Sequence, residues 1–158
     1  MRRAGRTLGV AGLLVILAGC FNDPVAPPVD VALDEGLLGH WRCGPAEANS
    51  SEHADLGVWR FDEHQYYAEW REDDDVSRFR AYLSEADGVQ FLSVADLSAV
   101  LAPWTAVRYS SPEPGVLDLR LPAQRILDMD DSRTAARVLA SHASRSDSWQ
   151  FLARCRRE

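Results

Sequence analysis

From residue 37 almost to the end of the chain, apolar and polar positions alternate with a period of two. Turn residues break the pattern roughly every 8 to 12 positions, which is the signature of a sandwich or barrel built from short strands. The first run is "LLGHWRC" (37–43), with Trp41 and Cys43 on one face. "LGVWRFD" (56–62) follows, with Trp59 and Phe61 on one face, and then "YYAEW" (66–70), aligning Tyr66, Ala68 and Trp70. "SRFRAYLS" (77–84) sets Phe79, Ala81 and Leu83 against Arg78, Arg80 and Tyr82. Asp87-Gly88 carries the strongest hairpin signal in the chain and leads into "VQFLSVA" (89–95), apolar on both faces and therefore expected to be covered on both. "WTAVRYS" (104–110) and "VLDLRLP" (116–122) form a further hairpin around "SPEPG". "DLSAVLAP" (96–103) is expected to hold one helical turn before Pro103.

The period then changes. "DDSRTAARVLASHA" (130–143) places Ala135, Val138, Leu139 and His142 at helical spacing, with Asp131 or Ser132 as N-cap. The last run, "SWQFLARCR" (148–156), returns to alternation and is expected to share Trp149, Phe151, Ala153 and Cys155 on one face. The expected fold is mainly β: about eight antiparallel strands in a meander, closed as a small barrel, with one helix before the last strand.

The first twenty residues follow a different rule. Arg2, Arg3 and Arg6 precede an apolar run from Leu8 to Ala18, the length of a signal-peptide core and too short for a span, which needs roughly 20 residues. Leu17-Ala18-Gly19-Cys20 resembles the lipobox of bacterial lipoproteins. The resemblance implies cleavage after Gly19, a diacylglycerol on the Cys20 sulfur and an acyl chain on the new amino group. Two or more chains make a lasting anchor. In that class Asp after the cysteine marks inner-membrane retention; Phe21 stands there instead, which implies the outer membrane. Pro24, Pro27 and Pro28 stiffen the stretch that follows, which reads as an extended tether with no core to join. The expected organisation is a signal peptide at 1–19, a lipidated tether at 20–35 and one β domain at 36–158.

Gly39-His40-Trp41, opening the first strand, resembles the Gly-x-Trp start of lipocalins. The resemblance implies a barrel with a ligand-holding interior. Lipocalins place their helix after the eighth strand, whereas here it precedes the final one, so ligand binding remains an analogy.

Removing residues 1–19 takes three of the seventeen basic residues and no acid, leaving 14 arginines against 24 acids and a formal charge of −10. That balance disfavours nucleic acid and anionic headgroups as partners. The chain has no lysine, as a GC-rich genome would give.

Cys20 is consumed by lipidation, and the two other cysteines, Cys43 and Cys155, are expected to form a disulfide in an oxidising compartment. In a strict eight-stranded barrel the first and last strands are antiparallel, yet both cysteines lie late in their strands. Either the first strand runs past Cys43 or the helix reverses the last one.

Candidate chemistry is sparse. Glu72 to Asp75 and Asp128 to Ser132 are acidic enough for calcium, but a solvated turn and a helix cap explain them more simply. His40, His53, His64 and His142 have no metal-ligand or catalytic spacing. No nucleophile elbow or phosphate loop is present, so no catalytic residue, metal or cofactor is assigned. Trp41, Trp59, Trp70, Trp104 and Trp149 are the candidates for lining an apolar cavity, against the alternative that they fill the barrel. The expected function is that of a monomeric, periplasm-facing outer-membrane lipoprotein, binding a small apolar ligand inside the barrel or an envelope protein on its rim. An envelope hydrolase and a structural accessory subunit are the alternatives.

Overall fold

The alternating runs become eight strands: β1 (Gly39–Gly44), β2 (Ala54–Arg60), β3 (Gln65–Glu72), β4 (Asp75–Ala86), β5 (Val89–Asp96), β6 (Trp104–Ser110), β7 (Val116–Pro122) and β8 (Trp149–Arg157). In the computed structural model, which describes residues 21–45, 53–100 and 103–158, each strand pairs antiparallel with the next and β1 closes on β8. The expected fold class is the observed one: a closed eight-stranded meander. Asp87 and Gly88 make the β4–β5 turn, both with positive φ (52° and 70°), as a two-residue hairpin matched to strand twist requires. Residues 97–100 form bends and a turn, not the expected helical turn. Cys20 and the signal run lie outside the described residues.

The disulfide joins Cys43 and Cys155, 112 residues apart and directly opposite one another in the β1–β8 ladder. β1 runs only one residue past Cys43, to Gly44, and the helix does not reverse β8, which is antiparallel to both neighbours. The strands are staggered instead: β1 meets only Arg154–Arg157, while the earlier part of β8 pairs with β7 alone. Stagger of this kind accompanies the strand tilt that closes a barrel, and it brings two late-strand cysteines to one level.

The inner face is apolar, with Trp41, Leu56, Tyr66, Phe79, Leu83, Leu117 and Leu119 buried in one cluster with the disulfide. β8 does not keep one face throughout. Leu119 pairs with Ala153 but Arg120 pairs with Phe151, so Leu152 is an extra residue in a β-bulge. The bulge turns Leu152 inward and sends Phe151 and Trp149 to the outside. Arg120 then lies 5.8 Å from the Phe151 ring on that outer face. The expectation that Trp149, Phe151, Ala153 and Cys155 share a face fails for this reason: a period-two count cannot register an inserted residue.

Two short helices precede β8, α1 (Gln124–Leu127) and α2 (Ser132–Ser141). Asp131 caps α2 by accepting from the Arg133 and Thr134 amides, each at 3.2 Å. The Thr134 hydroxyl, more than those amides, holds the Asp131 carboxyl below the usual carboxylate range. Ala135 and Leu139, one turn apart, cover the outer side of the barrel in a second apolar cluster with Phe21, Phe91, Ala106, Ile126 and Trp149. The Trp149 indole donates to Ala143 O at 2.8 Å, and Asp87 accepts from the Ser144 amide at 3.0 Å, tying the end of the helix to the β4–β5 turn.

The proline-rich stretch is extended but not a free tether. Phe21 is 1% exposed and exchanges both backbone hydrogen bonds with Trp104, the first residue of β6. Farther on, the Val29 amide donates to Leu83 O and the Ser84 hydroxyl to Ala26 O. A 3-10 turn at Glu35–Leu37, capped by Asp34, then puts Leu37 into the inner cluster, where its carbonyl accepts from the Trp41 indole at 3.0 Å. Residues 21–38 thus form a strap along the barrel. The Asp34 amide donates to the Tyr66 hydroxyl at 2.7 Å; burial, more than the nearby acids, pushes that phenol up to about 12 and keeps it protonated. Arg157, the last residue of β8, holds the end of the strap by donating to Leu38 O and Gly36 O while stacking 4.3 Å over Trp41. Gly39 has φ +124°, and a Cβ there would lie 2.8 Å from the Arg157 guanidinium. Glycine takes that positive φ without strain, and the Arg157 guanidinium lies over it.

Candidate functional site: a groove on the outer face

The barrel interior holds an apolar cavity of about 110 Å³. Leu56, Val58, Trp70, Phe79, Val94 and Leu152 are among its walls. Ligand sites run to roughly 300–1,000 Å³, and apolar cavities near this size stay dry. The inside is a filled core with a small void rather than a binding chamber.

The five tryptophans do not converge. Trp70 lines the interior void. Trp41 is buried in the inner cluster beside the strap. Trp59 is 38% exposed on the outside of β2, because Leu56 and Val58 take the inward positions of that strand. It meets His40 edge-on at 5.5 Å and Tyr67 at 5.8 Å. Trp149 is buried under α2 on the outer face, with its ring 5.9 Å from Phe91. Trp104 is also outward, since Thr105 and Val107 point toward the β5 residues Val94 and Leu92 of the interior.

A larger space lies on that outer face. It is a groove of about 550 Å³ between the strap and the outer side of β3 to β6. Pro28, Val29 and Asp30 of the strap form one wall. Ala95, Leu97 and Trp104, from β5 to the start of β6, line its apolar side, where the Trp104 ring lies 5.5 Å from that of Tyr82. His64 and Gln65, at the start of β3, line the opposite, polar side. Arg80 and Tyr82 of β4 lie between the two, facing outward because they alternate with the inward Phe79, Ala81 and Leu83. Arg80 is held rather than free to swing: Nη2 donates to Gln65 Oε1 at 2.6 Å and the guanidinium stacks 4.3 Å from the Phe61 ring. Among the described residues it has no carboxylate in ion-pair range, whereas Arg154 has a bidentate partner in Asp118 at 2.7 and 2.8 Å. Burial raises the Tyr82 phenol above its ordinary value, so it carries no charge at neutral pH.

Other perturbed groups have structural explanations. Burial, then Asp34, raises Tyr109 at the barrel end that the strap covers. The hydrogen bonds from Arg154 hold Asp118 low, and the Ser144 hydroxyl and amide hold Asp87 low. Glu72 and Asp75 pair across the β3–β4 turn, and Asp128 is the C-cap of α1. His40, His53, His64 and His142 are all exposed, and among the described residues no three His, Cys, Asp or Glu side chains gather as a metal site would need.

Compared with known proteins, the chain matches no family model, no curated protein and no solved structure.

The alternation of β4 contained Arg80 and Tyr82 as outward residues, but nothing in it marked them as a site. The missing wall was the strap. Its signal was present as an apolar residue at every fourth position, Phe21, Val25, Val29, Leu33 and Leu37, which a solvated tether has no reason to keep.

Proposed function

We propose that the protein is an outer-membrane-anchored, periplasm-facing lipoprotein that works as a binding module, taking one amphiphilic molecule in the outer groove. The observation that carries this reading is a groove with an apolar side at Ala95, Leu97 and Trp104 and, two strands away on β4, an outward Arg80 that has no carboxylate partner among the described residues. A single alkyl chain fits along the former, and a carboxylate or phosphate head meets the latter. A preset arginine is the side chain suited to such a head, and hydrogen bonds to a charged group contribute about 1.5–3 kcal/mol. The lipid anchor rests on the lipobox at Leu17–Cys20, and the compartment it implies is consistent with the disulfide.

The hydrolase alternative lacks an observation in its favour, since the displaced carboxyls serve as caps, clamps or ion-pair partners. An accessory role would draw on the exposed aromatics Trp59 and Phe61.

The groove reading is tested with the mature chain made soluble by Cys20→Ser. Dodecanoate below its micellar concentration is expected to change tryptophan emission saturably, and Trp104→Phe to remove most of that change. Arg80→Gln should weaken binding about tenfold, while dodecyltrimethylammonium, with the opposite head charge, should bind weakly to both proteins. Equal affinity for the two head charges, or no saturable change, would overturn the proposal.

A further inference from the structure

Phe21 is the first residue after the cysteine expected to carry lipid. Its backbone is fixed to Trp104 by two hydrogen bonds, Phe21 N to Trp104 O at 3.1 Å and Trp104 N to Phe21 O at 2.9 Å, and its ring is buried. Consecutive Cα atoms stand about 3.8 Å apart. On the lipoprotein reading, the attachment point is therefore one Cα step from a residue fixed beside the start of β6, with no spacer between.

The β5–β6 connection reaches the same point from the other side. Asp96 N donates to Pro103 O, so the loop closes on the residue before Trp104. From Leu97 to Val107 the sequence holds no charged residue, in a mature chain with formal charge −10. Leu97 is 45% exposed and Val100 fully exposed, in a structure that buries most of its large apolar side chains. Isolated exposed valines and leucines are ordinary. Two of them on an uncharged loop, next to the attachment point of a membrane anchor, are not isolated.

We infer that this corner of the barrel, made by Leu97, Val100 and the Phe21–Trp104 junction, lies on the bilayer, with Val100 entering the interfacial region. The inference rests on the lipoprotein reading and goes beyond it, because it fixes which face of the domain meets lipid. A free tether would leave the domain to tumble above the surface; a strap docked up to Phe21 does not. The apolar side of the groove shares Leu97 and Trp104 with this corner, so an amphiphile in the membrane has a short path into the groove. Asp73, Asp74 and Asp75 in the β3–β4 turn lie at the same end of the barrel, so the contact should favour zwitterionic over anionic lipid.

The test uses the lipidated protein in phosphatidylethanolamine–phosphatidylcholine vesicles, with and without brominated acyl chains. Val100→Trp places a reporter at an exposed position, and Glu113→Trp places one on the β6–β7 hairpin at the other end of β6. Intact mass is measured on each preparation. With the acyl mass present, Val100→Trp should show a blue-shifted emission increment that bromolipid quenches at least twofold more than the Glu113→Trp increment. Equal quenching of the two, with acyl mass present, overturns the orientation and leaves the lipoprotein reading standing. A mass without acyl chains overturns both.

Discussion

Alanine at both Cys43 and Cys155 is expected to lower the free energy of unfolding by about 4 kcal/mol. The bond closes a loop of 112 residues, for which the chain-entropy model gives a little under about 5 kcal/mol, and real disulfides commonly deliver somewhat less. That is a large share of the roughly 5–15 kcal/mol of a typical domain. The location enlarges the consequence, because β1 and β8 meet over only four residue pairs and the disulfide lies within that seam. Both sulfurs are buried, so reductant should cleave the bond only as fast as the barrel opens. Urea unfolding of the Cys20→Ser mature chain and its double-alanine derivative measures the difference. A change below about 1 kcal/mol would show that the seam holds without its cross-link.

Phe21→Ala is expected to cost about 3 kcal/mol, within the range for removing a buried phenylalanine. Its ring belongs to the outer cluster with Phe91, Leu139 and Trp149, and its loss leaves a hole between the strap and the sheet. The strap should then loosen at Phe21, where only the two backbone bonds to Trp104 remain, while Val25 and Ala26 keep their packing farther along. Phe21→Leu fills most of the space and should lose less than half as much. Hydrogen exchange gives an independent reading: the amides of Phe21 and Trp104 should lose protection in the alanine variant, while the disulfide seam keeps its own. If the alanine variant unfolds with wild-type stability, residues 21–38 are a tether after all.

Alternation made the strands and their count legible, because a half-buried strand must repeat with period two, and the switch to helical spacing after residue 130 marked the late helix. Three features were not legible, each for a stated reason. The bulge at Leu152 inserts a residue with no sequence mark of its own, so Trp149 and Phe151 change face. The partners of Trp59 and Trp104 show which face is which, and that depends on register with neighbouring strands rather than on the strand itself. The strap is apolar at every fourth residue, a spacing that belongs to neither a strand nor a regular helix, and its prolines argued for a free chain. The groove lies where two of these features meet, between the strap and the outer side of β4 to β6. Of the five tryptophans, Trp70 lines the small interior void and Trp104 the outer groove, two separate spaces, so they do not line one internal cavity together.

Intact mass of the protein extracted from membranes bears most directly on the central claim, since the compartment and the orientation on the bilayer both presuppose where the chain is held. The expected species is residues 20–158 carrying a diacylglycerol and one further acyl chain, lighter by two hydrogens for the Cys43–Cys155 bond. Cys20→Ser should give neither the acyl mass nor stable membrane association. An unmodified Cys20, with membrane association unchanged by the serine, would contradict it.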